Sequence, residues 1–178
     1  MQTLLEIIGS TIIGGMLLLL MLTSKTNVGK SSNAQLINSN VQSNLTSITE
    51  VIEADIKNLG YHKLSDTTAI VPNILTADSN KITYYCYNDA TSNKDSISYY
   101  YNTADSTLNR KINAGTPLKI NLGVKGFNIK YYDINGAITS TKSSIKSFKI
   151  AITVLDTFKY DGDPVGAYWE KTFKPQNL

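Results

Sequence analysis

One carboxylate, Glu6, lies in an otherwise apolar run, LLEIIGSTIIGGMLLLLML, at residues 4–22. A charged side chain in hydrocarbon costs roughly 2.5–3.5 kcal/mol on insertion scales, so a chain keeps one only where something pairs with it. The nearest cation in sequence is the chain's own α-amino group, on the same helix. The next is Lys25, about 28 Å along a helix that rises 1.5 Å per residue. A helix does not bend its own N-terminus round to Glu6. The economical partner is the α-amino group of a neighbouring, axially shifted copy. The chemistry expected of Glu6 is therefore ion pairing between copies.

Other residues capable of chemistry have plainer readings. Asp161-Gly162-Asp163 with nearby Asp156 is a weak Ca²⁺ candidate through Asp161 and Asp163, but it lacks the full EF-hand pattern and reads better as a turn. His62 beside Tyr61 has no matching nucleophile and reads as a helix-end polar residue. The single Cys86 cannot form an intramolecular disulfide, and one His with one Cys makes no zinc constellation. Consecutive tyrosines at 84–85, 99–101 and 131–132 face opposite sides of a strand, so sheet packing is their default role. Asn44-Leu45-Thr46 matches a glycosylation sequon but falls on a helix. Nothing here indicates an enzyme, and no metal or cofactor is implied.

The elements that position Glu6 follow from periodicity. A cleavable signal peptide opens with Lys or Arg and ends at a small-residue cleavage site, whereas the first basic residue here is Lys25, after the apolar run. A plain membrane anchor accounts for the length of the run but not for Glu6. Gly9, Gly14 and Gly15 permit close helix–helix approach. Gly14 and Gly15 also mark a place where the helix can unwind. From Ile37, apolar residues recur at Val41, Leu45, Ile48, Ile52, Ile56 and Leu59, one face of a helix. Asn38, Gln42, Ser43, Thr49, Glu50, Glu53 and Lys57 occupy the other. The polar stretch 23–32 is a candidate kink, and Gly60 a candidate stop. The expectation is one helix over 1–62, apolar over 4–22 and amphipathic beyond.

After Leu64 the period changes to 2. Strands are expected at 81–87, 96–101, 106–112, 124–132, 145–155 and 167–173. Turn signals separate them at Asn88-Asp89, Ala104-Asp105, Asn135-Gly136 and Asp161-Gly162-Asp163-Pro164. The fold class is α+β, a long N-terminal helix packed on an antiparallel β-sheet. Residues 63–178 form a β-rich head, and 33–178 a soluble domain. The length of 178 residues allows one helix and one domain. The net charge of +3 is mild, and its 17 Lys and Arg are scattered, so no nucleic-acid partner is indicated. Low charge with abundant Ser, Thr, Asn and Tyr suits an extracellular setting.

These features together resemble the type IV pilin and pseudopilin superfamily. QTLLEIIGSTIIGG at 2–15 looks like the pilin N-terminal motif, with Gln2 at the first mature position and Glu6 at the superfamily's glutamate. EADIKNLGYHK at 53–63, STLNRKI at 106–112, VKGFNIKYYDINGA at 124–137 and TFKPQNL at 172–178 are similar to segments of the PilW-type minor pilins. Two features depart from the pattern. If Gln2 is the first mature residue, Met1 stands where prepilin peptidase expects Gly; if Met1 is, Glu6 falls one place late. The helix also lacks a Pro near residue 22.

The resemblance implies a structural subunit of an extracellular filament at the cell surface, held in the inner membrane before assembly. Its partners would be other copies in a helical homopolymer and the pilus assembly machinery. Leu4, Leu5, Glu6, Ile8, Ile12, Leu18 and Leu19 would be the assembly residues. The alternatives are a minor subunit at the tip or at initiation, a pseudopilin, or a membrane-anchored surface module acting singly.

Overall fold

The structure is a computed structural model and describes residues 2–59, 73–88, 93–160, 163–175 and 178. The expected stop at Gly60, the pair Tyr61-His62, Asp89 of the first turn signal and Asp161 fall outside them. Helix α1 spans Gln2–Lys57, five residues short of the expected end at 62. Its last turn tightens through Asn58 N–H to Asp55 O (3.2 Å) and Leu59 N–H to Ile56 O (3.0 Å). Bonds of this i→i−3 kind close a helix end. Leu59 then forms an antiparallel bridge with Cys86, which ties the helix terminus to a strand.

The expected kink at 23–32 is absent, and α1 is unbroken there. The threonine hydroxyls in and beside the stretch bond back to the helix itself. Thr23 Oγ1 donates to the Leu19 and Leu20 carbonyls (both 3.0 Å), and Thr26 Oγ1 to the Leu22 carbonyl (2.6 Å). Such back-bonds slightly weaken a helix and often bend it, but they leave neither hydroxyl unsatisfied, and the helix continues through both.

Two compact units divide the chain, residues 1–39 and 40–178, so the second begins seven residues after the expected boundary at 33. In it the strands are β1 (Ile74–Asp78), β2 (Lys81–Asn88), β3 (Asn93–Asn102), β4 (Thr107–Ile112), β5 (Leu118–Ile120), β6 (Val124–Tyr132), β7 (Ser147–Tyr160) and β8 (Asp163–Phe173). A 3₁₀ turn occupies Lys142–Ser144. All pairings are antiparallel. They form two sheets, β1-β2-β3-β4-β5 and β6-β7-β8, where the sequence reading expected one.

The chain changes sheets at Gly123, whose φ is +76°. A Cβ there would lie 2.6 Å from the Leu155 carbonyl oxygen, so only glycine fits. Alternation tells which face of a strand is buried, not which strand lies beside it; that is why the second sheet was not anticipated. Strands β1 and β5 were not anticipated either, being too short for periodicity to mark.

The Asn135-Gly136 turn forms, with Gly136 at φ +80°, but it closes on a single bridge, Tyr132 to Ile138, rather than on a strand pair. Asp133 holds it, accepting from the Asn135 and Ala137 N–H groups at 2.8 and 2.9 Å.

One core joins all three layers. Val41, Leu45, Ile48, Ile52, Ile56 and Leu59 are buried with Ile82, Tyr84, Ile97, Tyr99 and Leu108 of the first sheet. Phe127, Ile129, Phe148, Ile150 and Ile152 of the second complete it. The helix face is the one expected, with one correction. Thr49, assigned to the polar face, is buried, because it sits about 60° from the centre of the stripe at 100° per residue. Its hydroxyl is satisfied by the Thr46 carbonyl at 2.9 Å.

Ile52 is fully buried, while its neighbour Val51 is 44% exposed. Ile52→Ala should therefore cost about 2–5 kcal/mol, and Val51→Ala about 0.5 kcal/mol or less, read from urea-unfolding midpoints. A fragment 64–178 lacks the stripe and should aggregate. A stable monomeric fragment would show that α1 is not part of the core.

Candidate functional site

The residues singled out at the N-terminus lie on α1 within unit 1–39. Leu4, Leu5, Ile8, Ile12, Leu18 and Leu19 are all solvent-exposed, from 48% at Ile8 to 72% at Leu5. Ile7, Ile13, Leu17 and Leu20 are exposed as well, so the segment is apolar on every side. A helix of that kind requires apolar surroundings all round. It is long and apolar enough to cross a membrane. Ser10 and Thr11 do not spoil this, because both hydroxyls donate to the Ile7 carbonyl at 3.0 and 2.8 Å.

Glu6 is exposed and makes no ion pair among the described residues. Met1 lies outside them. The backbone stays helical through Gly14 and Gly15. A Cβ built at Gly9, Gly14 or Gly15 would meet nothing within 4 Å, so contacts within the chain do not require glycine there. Each costs roughly 1 kcal/mol of helix stability relative to Ala. What glycine provides at these points is a low helix surface that another helix can approach closely.

In unit 40–178 the structure brings together two segments far apart in sequence. Asp55, from EADIK, accepts from Arg110 Nε at 2.6 Å and from Nη2 at 2.9 Å; Arg110 comes from STLNRKI. The pair is bidentate and mostly buried, with side-chain exposures of 14% and 21%. Tyr99 Oη donates to the same Asp55 carboxylate. On the other flank of α1, Glu53 pairs with Lys171 at 2.7 Å. Residues 53 and 55 are about 160° apart around the helix, so each reaches a different sheet. Neither contact was anticipated. The only sequence signal was opposite charges in two segments that both pattern onto the core.

Beside this cluster the Tyr84 hydroxyl is fully buried with no hydrogen-bond partner. Burial, then the neighbouring Tyr99 and Asp55, push its phenol well above the ordinary value. Burial also raises Tyr99, helped by its bond to Asp55, and raises Tyr131. Tyr131 Oη donates to the Asp78 and Lys81 carbonyls, both at 3.1 Å, joining the two sheets. Cys86 is a buried free thiol whose pKa burial raises, so the thiolate is disfavoured.

Of the two weak metal candidates, Asp163 is described. Asp163 opens β8 and pairs in register with Tyr160. Among the described residues no group of three or more His, Cys, Asp or Glu is placed to hold a metal. The tyrosine runs split between faces as strand geometry requires: Tyr84 and Tyr99 are buried, while Tyr85 carries Lys94 Nζ 3.9 Å from its ring centroid.

Tyr84→Phe removes an unsatisfied buried hydroxyl and should stabilise the domain by about 1–3 kcal/mol. Arg110→Ala leaves Asp55 without its counter-charge and should cost about 3 kcal/mol. Alkaline pH adds a signed test. Phenols raised in the folded state contribute stability that is complete below their unfolded pKa of about 10 and is lost as pH rises through the folded values. The urea midpoint should hold to about pH 9 and fall above 10, less steeply in Tyr99→Phe. A midpoint flat to pH 12 would contradict the burial of these phenols.

Compared with protein-family models, curated proteins and solved structures, the chain gives no match.

Proposed function

We propose that this protein is a structural subunit of an extracellular type IV pilus-like filament, assembling through the apolar half of α1. The observation that carries this reading is Glu6, one carboxylate in a segment apolar on every side. Three glycines there serve no contact within the chain. Copies bundled side by side give each helix the apolar surroundings it requires. An axial shift between them lets each Glu6 meet the α-amino group of a neighbour. The resemblance of residues 2–15 to the pilin N-terminal motif agrees with this reading.

A second reading is favoured by length. The same segment can cross a membrane, and a module anchored singly would use it only for that. Glu6 weighs against this, because a solitary anchor leaves the charge unpaired.

Electron microscopy of sheared cell-surface material separates the two. Filaments are expected from the native chain. Glu6→Gln keeps the shape and removes the charge, and should impair assembly far more than Ile7→Leu. The scale is the about 3–5 kcal/mol lost when one partner of a buried ion pair is removed. Leu18→Asp should abolish filaments while residues 40–178 keep their cooperative unfolding. Intact filaments from Leu18→Asp would refute the helix-core arrangement. Normal yield from Glu6→Gln would refute the ion pair and leave assembly to apolar packing.

A further inference from the structure

Strand register places nine residues on the face of the β6-β7-β8 sheet opposite the core. They form three cross-strand rows, Gly126–Thr153–Tyr168, Asn128–Ala151–Glu170 and Lys130–Lys149–Thr172. The centre is Ala151 and one corner is Gly126, while longer side chains stand round them. The result is a depression of about 300 Å³ walled by Tyr168, Glu170, Lys149, Lys130 and Asn128. That volume is at the lower end of small-ligand sites.

Its polar groups are already organised. Tyr168 is 61% exposed, and its hydroxyl donates to Glu170 Oε2 at 2.7 Å. Lys149 Nζ reaches the same oxygen at 3.2 Å. Both bonds fall on Oε2, so the other carboxylate oxygen keeps its acceptor capacity. The Tyr168 bond and then Lys149 lower the Glu170 pKa, which keeps it an acceptor at neutral pH. Lys130 and Lys149 stand directly opposite each other. Like charges in that position are unfavourable; Glu170 forms its ion pair with Lys149 and acts on Lys130 only through space. An anion set between the lysines would remove the repulsion.

We propose that this face binds an oligosaccharide carrying a carboxylated sugar. One sugar ring lies on the Tyr168 ring. Its hydroxyls donate to Glu170 and exchange hydrogen bonds with Asn128 and Thr153. The carboxylate of a further residue sits between Lys130 and Lys149. Rows two residues apart are separated by about 6.6 Å, so Tyr168 and the lysine row stand about 13 Å apart along the strands. That span suits two or more sugar rings rather than one. The proposal does not depend on whether the chain polymerises.

The test is calorimetric titration of the full chain, kept in a zwitterionic detergent free of sugar headgroups. The probes are tetragalacturonate and its fully methyl-esterified form. Tetragalacturonate should bind, and the neutral ester should bind about tenfold more weakly or worse. Lys130→Gln should weaken the acid about tenfold and leave the ester nearly unchanged. Tyr168→Ala should abolish binding of both, while Tyr168→Phe, which keeps the ring, should stay within about threefold of the native chain. Thermal unfolding of each variant checks that it is folded. The proposal is overturned by no heat of binding up to about 10 mM tetragalacturonate. It is also overturned by equal affinity for acid and ester, by native affinity in a folded Tyr168→Ala, or by sodium sulfate displacing the acid at matched concentration.

Discussion

The stripe Val41, Leu45, Ile48, Ile52, Ile56 and Leu59 is the constraint on which the domain rests. Each sheet has one apolar face, and three or five strands alone cannot hide it from water. The helix supplies the missing cover for both sheets at once, so their inner residues fall into one core. Burying side chains of this size contributes roughly 1.5–3 kcal/mol each, larger than any one surface contact here. The ion pairs act at the margins of that stripe. Glu53 reaches Lys171 in the second sheet, and Asp55 reaches Arg110 in the first. They fix how the helix is rotated over a surface that apolar packing alone would let slide.

Within α1, one backbone conformation serves two different side-chain patterns. Over 4–22 the apolar residues surround the axis; over 41–59 they keep to one side. The first pattern needs an apolar medium or other helices, the second a sheet. The polar residues between and among them do not interrupt the helix. Ser10, Thr11, Thr23 and Thr26 turn their hydroxyls onto carbonyls of the preceding turn. They neither break the helix nor present an unmet hydrogen bond to an apolar environment.

The core contains a polar cluster that apolar residues could have replaced. Asp55, Arg110 and Tyr99 satisfy one another, and buried pairs of this kind add less stability than their geometry suggests, since both charges lose water. Their directional bonds accept one placement of the helix end over the sheet. Tyr84 is the exception in this group. Its hydroxyl has no partner and lowers stability, while its ring fills space between α1 and β2.

The helix, its apolar stripe and six of the eight strands were legible in the chain itself. Periodicity directly records which side of an element meets water, and Ile52 or Ile150 needs no partner to declare its face. Glu6 stands out in the chain as a charge among apolar residues. The tertiary structure decided everything that depends on which strand lies beside which. It divided the strands into two sheets at Gly123, and it buried Thr49 at the margin of the stripe. It brought Asp55 to Arg110 across 55 positions of sequence. It also set Tyr168, Glu170, Lys149 and Lys130 round Ala151 on one outer face, three strands contributing to one depression. Alternation fixes a residue's face, but register and strand order are set by turns, bulges and packing far away in sequence. A site assembled from several strands therefore exists only once the sheet does.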